Sequence, residues 1–254
     1  LVNYKRIADS IPFGILGNQP PILKKLIANY DNPNTRAAYL NIVILLRNFK
    51  DLDTDKLIKH RNILKKEMET YRKKELNISN EKLPTLEYLQ TNLDNLDGMK
   101  YIVNYLFLNY AFRNKDINFK FVTSIDDDKD DENYIIIKPK FIMIIINDYK
   151  TNKNYGKKVF RIKDKKFRKE LLNRHLKQGE YMIGKKDGSK YSLSNFNGMM
   201  VKYSIDQLGE TNIFKIVLRS LIDSKNFKRI EELAKSRGTA LDTILKSYNV
   251  FNNK

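Results

Sequence analysis

The sequence contains no cysteine and no tryptophan, and only two histidines, His60 and His175, in 254 residues. Without cysteine there is no disulfide framework, no thiol nucleophile and no thiolate zinc site. Two histidines leave a Ser-His-Asp mechanism almost nothing to work with. Any chemistry therefore falls to Arg, Lys, Tyr, Ser, Thr or carboxylates. Long apolar runs are also missing. The longest, such as residues 142–146, are far too short to span a bilayer, and no membrane partner is expected. No signal peptide is apparent, so the chain is not expected to be secreted. Position 1 is Leu rather than Met, and the sequence is expected to be a piece of a longer chain. No internal repeat is apparent.

Negative charge is the other shortage. Asp and Glu together number 30 against 48 Lys and Arg, a formal net charge of +18. A field of that sign favours a polyanion: DNA, RNA or an anionic membrane. The membrane would need a basic amphipathic helix, a lipidation signal or a long apolar run. A Lys-rich surface from an AT-rich genome is the plainer alternative, and would also account for the many Asn and Ile. Nucleic acid is the partner expected, with no cofactor, no metal and no small-molecule substrate. The acidic run "DDDKDDE" (126–132) reads as a solvated loop between antiparallel strands rather than a metal site.

A hydrophobic fraction of 41% supports a real core. Asn32-Pro33 resembles an N-cap followed by Pro at the first helical position. Residues 35–49, "TRAAYLNIVILLRNF", then read as a helix apolar nearly all round and hence buried. A charged helix follows over about 54–74. The polar segment "KKELNISNEKLPT" (73–85) is the candidate linker. Beyond it, residues 86–95 and 100–110 read as helices. "INFKFV" (117–122), "YIIIKPKFIMIII" (134–146) and "KKVFRI" (157–162) read as strands, with "NDYKTNKNYG" (147–156) as a hairpin tip between the second and third. Residues 192–209 read as a helix with Ser194 as cap and Gly209 as stop. Residues 213–224, 227–236 and the closing stretch read as further helices. The fold class expected is mainly α with a small antiparallel sheet (α+β): a helical domain over 1–80 and an α+β domain over 81–254.

Two arginines stand among apolar neighbours: Arg113 after "NYLFLNYAF" and Arg219 within "KIVLRSLI". A buried or half-buried Arg needs an anion, because it cannot shed its charge. For each alone, a salt bridge would suffice, Asp116 for Arg113 and Asp223 for Arg219. Together with Lys150 in "YKT" and Tyr248 near the end, they make another arrangement chemically complete. Two guanidiniums can clamp the nonbridging oxygens of a phosphodiester. A lysine can protonate a departing 5′ oxygen, and a tyrosine can attack and hold the phosphate.

These stretches resemble the tyrosine recombinases, or phage-type integrases, whose catalytic fold is shared with type IB topoisomerases. "YIVNYLFLNYAFRNKDINF" resembles the first-arginine box, with Arg113 and Asp116 at its Arg and acidic positions. "IIINDYKTNKNYGKKVFRI" resembles the lysine hairpin and places Lys150 at the catalytic lysine. "IFKIVLRSLI" resembles the His-x-x-Arg box, with Arg219 as the second arginine. "ELAKSRGTALDTILKSY" resembles the Gly-His turn and its nucleophile, with Gly238 at the Gly and Tyr248 at the tyrosine. "NPNTRAAYLNIVILLRNF" resembles the helix that opens the core-binding domain. The resemblance implies a two-domain, C-shaped clamp on double-stranded DNA. It implies site-specific recombination or integration through a covalent 3′-phosphotyrosine, without metal or ATP, in a homotetramer, inside the cell. A virus, virophage or other mobile element is the expected source. Arg113, Lys150, Arg219, Thr239 and Tyr248 are the implied catalytic positions, and Arg36, Lys153, Lys157, Lys158 and Lys215 the implied DNA contacts.

Two positions depart from the pattern. The first histidine falls on Ile216, beside Lys215, and the second on Thr239. A threonine hydroxyl can donate a hydrogen bond but cannot titrate near neutrality. Loss of acid–base help costs on the order of 10²–10⁴ in rate. A slow, partner-dependent or inactive site, a monomeric type IB topoisomerase, and a non-catalytic DNA-binding clamp all stay open.

Overall fold

A computed structural model of the chain describes residues 19–81, 83–124 and 131–248, the side chains of 20, 21, 72–81 and 245–248 excepted. The chain divides into two units, Leu1–Lys82 and Leu83–Lys254. In the first, three helices are described: α1 (Gln19–Asn29), α2 (Pro33–Phe49) and α3 (Asp55–Glu81). Asn32 caps α2, its side chain accepting from the N–H of Asn34 at 2.8 Å, and Pro33 opens the helix where no N–H is needed. Ala37, Leu40, Val43 and Ile44 form the buried stripe of α2, packed with Ile22, Leu26, Leu57 and Leu64. The expectation of a helix buried all round is corrected. Leu45 is 59% and Phe49 80% exposed, because the helical period carries them off the stripe. The segment 73–85, expected as a linker, does hold the boundary between the two units, after residue 82, but it is largely helical: α3 continues to Glu81. Its Glu, Lys and Leu residues are good helix formers and outweigh the scattered Asn and Ser.

The second unit begins with α4 (Leu86–Asp94) and α5 (Gly98–Tyr110), then a 3-10 turn (Asn114–Ile117). A four-stranded sheet follows, in the order β1 (Phe119–Phe121), β2 (Asn133–Ile137), β3 (Ile142–Ile146) and β4 (Lys158–Ile162). Five helices complete the unit: α6 (Lys165–Leu172), α7 (Leu193–Tyr203), α8 (Gly209–Asp223), α9 (Phe227–Arg237) and α10 (Leu241–Tyr248). The class is the expected one, mainly α with a small sheet. Among the described residues no helix is long and apolar enough to cross a membrane.

Details of the sheet differ from expectation. The run 134–146 is two antiparallel strands, because Lys138 N–H bonds to Phe141 O at 2.9 Å and turns the chain at Pro139. β1 pairs with β2 in parallel, so the sheet is mixed rather than antiparallel throughout. Most of the acidic run lies outside the described residues. The 147–156 connection does join antiparallel strands, but it holds a one-turn helix, Asn152–Tyr155.

One face of the sheet and the helices share a core that includes Ile102, Phe107, Phe112, Phe119, Ile144, Phe167, Phe196 and Phe214. α5 runs through it as a helix buried on most sides. Its polar Asn104, fully buried, is saturated: its amide donates to Lys100 O and Tyr203 O, and accepts from the N–H of Ile205. Two end signals are corrected. Ser192, not Ser194, caps α7, accepting from the N–H of Asn195. Gly209 opens α8 rather than closing α7; the earlier helix ends at Tyr203, and Ser204 Oγ accepts the Gly209 N–H at 3.0 Å.

Candidate active site

α5 ends with Ala111 in the left-handed conformation (φ 53). That turn sends Phe112 into the core and brings Arg113 out, half-buried, at the head of the 3-10 turn. Asp116 fixes it from behind, accepting the Arg113 N–H at 3.0 Å. Across from Arg113 lies the end of α9. Gly238 adopts φ +62, the usual left-handed cap of a helix. Its N–H reaches Lys235 O, and the N–H of Thr239 reaches Ala234 O, both at 3.0 Å.

The next three carbonyls are each taken by a side chain. Lys158 Nζ donates to Ser236 O at 3.0 Å, an Arg113 guanidinium N–H donates to Arg237 O at 2.5 Å, and Thr151 Oγ1 donates to Gly238 O at 2.5 Å. Arg113 also donates to Thr239 Oγ1 at 2.7 Å. The packing is close enough to demand glycine. A Cβ at residue 238 would sit 2.6 Å from Lys158 Nζ, 2.7 Å from the Tyr149 ring and 2.8 Å from Thr151 Oγ1.

The electrostatics follow from burial. Lys158 lies over the Tyr149 ring, 3.9 Å from its centroid. Burial pulls its pKa down to about 8; Arg113 pushes the same way, and Asp116 opposes. Asp116 is 2% exposed, and burial raises its pKa to about 6, against the N–H and charge of Arg113 and the charge of Lys158. Among the described residues its Oδ1 has no hydrogen-bond partner.

A second buried arginine stands behind the turn. Arg237 donates to Ala111 O at 3.0 Å and to Glu210 at 2.8 Å, and lies over the Phe214 ring. Glu210 also accepts the N–H of Asn114, and Ser236 Oγ donates to Tyr110 O. The end of α9 is thereby fastened to the end of α5, so Arg237 serves the frame and Arg113 faces the turn.

The structure brings Arg113, Thr239 and Lys158 together. Lys150 sits between Tyr149 and Thr151 but is exposed, with no hydrogen bond or ion pair among the described residues. Lys153 and Lys157 are exposed on the same connection. Arg219 corrects an expectation: it is exposed, not embedded, and makes no ion pair with Asp223 among the described residues. Lys215, one turn earlier, is half-buried, and Ile216 is buried. Arg36 belongs to the first unit, where it meets Glu67 at 3.5 Å and Asp31 O at 3.2 Å. His60 is half-buried in that unit and His175 exposed in the other. The backbone of Tyr248 closes α10, whose Ile244 is buried in the core. The side chain of Tyr248 lies outside the described residues. Among the described residues, no group of three or more His, Asp or Glu is placed to hold a metal ion.

Sequence reasoning passed over Thr151, Glu210 and Arg237, and put Lys158 only among the DNA contacts. A signal for Lys158 was present. The strand period places Lys158, Phe160 and Ile162 on one face, and that is the face that turns inward.

Comparison with known proteins adds little. No family model matches the chain, and no curated protein matches it. One solved structure, described as the crystal structure of XerA recombinase, aligns over 99% of this chain and 86% of that chain, at 11% identity and a TM-score of 0.43. A likeness at that score decides nothing about chemistry.

Proposed function

We propose that the chain binds double-stranded DNA and breaks and rejoins it through Tyr248. The observation that supports this most is the convergence of Arg113 and Lys158 on the turn that carries Thr239, directly before the helix that ends at Tyr248. Arg113 and Lys158 are two donors a short step apart, suited to the two nonbridging oxygens of a phosphodiester. In this reading the Tyr248 oxygen attacks phosphorus, the phenolic proton passes to solvent, and the P–O5′ bond breaks. Lys158, with a pKa near 8, supplies the proton that the 5′ oxygen gains. A 3′-phosphotyrosine holds the strand, and the reverse attack by a 5′-OH restores it. The lysine role first expected at Lys150 goes to Lys158. Net charge and the absence of thiols fit metal-free phosphoryl transfer.

Integration or site-specific recombination in a virus or mobile element, by a tetramer on DNA, is the setting we infer. Relaxation of supercoiled plasmid by the isolated monomer would instead identify a topoisomerase of the same chemistry. Two observations favour a second reading, a DNA-binding clamp without catalysis: Arg219 is exposed, and Thr239, which cannot titrate near neutrality, stands where the resembled pattern has a histidine.

The test uses a library of nicked duplexes of random sequence. The proposal predicts a covalent protein–DNA adduct on a denaturing gel, absent in Tyr248→Phe. Arg113→Ala and Lys158→Ala should form it more slowly, on the order of 10²-fold or more. DNA retention with no adduct in any pool would establish the non-catalytic clamp.

A further inference from the structure

The three consecutive carbonyls of residues 236–238 pose a physical question. A helix C-terminus carries roughly half a negative charge, and the carbonyls of Ser236 and Arg237 sit directly on Lys158 and Arg113. These are the two cations assigned above to a phosphate. A phosphate competes with the carbonyls for the charge and the nearest N–H groups of both.

We propose that the Ser236 and Arg237 carbonyls occupy, on Lys158 and Arg113, the place of the substrate oxyanion, and that Thr151 is the positioning residue that holds this internal occupant. The proposal rests on the functional reading above and concerns regulation of the same site. A phosphate carries a full charge and three or more acceptor oxygens, so it outcompetes two carbonyl dipoles for the same donors. Once displaced, the turn keeps the Thr151 hydroxyl on Gly238 O at 2.5 Å, while the side chains of Ser236 and Arg237 hold the end of α9 to α5, so that movement is directed forward. Ala240 alone separates Thr239 from the first residue of α10. A shift of the turn therefore passes into the helix that carries Tyr248. Filling the site with an oxyanion and loosening α10 become one event. Without an anion, the cations donate to the protein's own carbonyls and the helix stays docked.

Coupling of this kind is reciprocal: whatever loosens the turn must strengthen anion binding by the same factor. That separates a positioning role for Thr151 from a merely structural one. The probe is inorganic phosphate on the full chain, compared with chloride at equal ionic strength. Hydrogen exchange of peptides covering 239–248 gives the response, and calorimetry gives the affinity. Phosphate is expected to raise exchange across 239–248 and nowhere else to the same degree. Thr151→Val, checked for a native near-ultraviolet spectrum, is expected to bind phosphate about 5-fold more tightly or better, the low end of the usual coupling range. Thr151→Ser, which keeps the hydroxyl, should restore the parent affinity. Phosphate that fails to bind, or binds without altering exchange, overturns the proposal, as does an unchanged or weaker affinity in Thr151→Val. The adduct assay is independent of these readings. An adduct with no exchange response removes the internal occupant and leaves the enzyme; an exchange response with no adduct removes the enzyme and leaves the anion switch.

Discussion

Replacing Gly238 by Ala tests the geometry of the turn with a single methyl group. Two costs can be separated. The residue sits at φ +62, where a Cβ meets the following carbonyl, a penalty of about 1–2 kcal/mol. The added carbon also lands 2.6–2.8 Å from Lys158 Nζ, the Tyr149 ring and Thr151 Oγ1. Lys158 and Thr151 end in rotatable bonds and can retreat. Tyr149 cannot: it is 2% exposed, and its hydroxyl is tied to Gly156 O at 2.7 Å. Overpacking against such a wall costs about 1–3 kcal/mol. A total of about 2–5 kcal/mol follows, which moves a urea midpoint by roughly 1–2 M. Urea denaturation followed by tyrosine circular dichroism reads the stability, and calorimetry reads phosphate affinity. Both should change together, because the displaced groups are the ones that hold the carbonyls and the anion. A variant with parent stability and parent phosphate affinity would refute the close packing of residues 149, 151, 158 and 238.

Three further outcomes follow from the same contacts. Phosphate affinity should fall as pH rises through about 8, where Lys158, flanked by Arg113 and Asp116, loses its proton; Lys158→Arg should abolish the fall, since Arg does not titrate in that range. Asp116 has a folded pKa of about 6, above its ordinary 3.8, so the folded state holds its proton more tightly. Its contribution is fully present at low pH and is lost as pH rises through 6. Asp116→Asn, followed by thermal unfolding from pH 4 to 7, should therefore flatten that part of the stability profile. Glu210→Ala leaves the buried Arg237 without its carboxylate and should cost about 3–5 kcal/mol in chemical denaturation, far more than Lys150→Ala, which removes an exposed side chain.

Some of the molecule was legible in the chain and some was not. Asn32-Pro33 announced its helix because capping is a local device, written in adjacent residues. The run 134–146 was misread because Pro139 interrupts it without a Gly or Asn to mark the turn. The parallel pairing of β1 with β2 is a long-range choice that no local pattern records. Arg219 looked enclosed because Ile216, Val217 and Leu218 precede it, and those three are indeed buried. The helical period, however, puts Arg219 four positions beyond Lys215, on the more polar side. Arg113 and Gly238 could be singled out from sequence, one as a charge among apolar residues and one as a helix stop. Their meeting could not: Arg113 and Arg237 O are 124 positions apart, and only packing joins them. The roles of Arg113 and Arg237 were likewise indistinguishable in sequence, both being arginines at the ends of helices. The partner of Arg237 is Glu210, which lies far away in the chain.

The central claim is that the last helix delivers a nucleophile to a phosphate held by Arg113 and Lys158. The most direct measurement is to trap protein on the nicked-duplex library, digest the adduct, and map the modified residue by mass spectrometry. The account predicts a nucleotide 3′-phosphate esterified to Tyr248, with the yield reduced in Lys158→Ala. Modification of any other residue, or an adduct that persists in Tyr248→Phe, would contradict it.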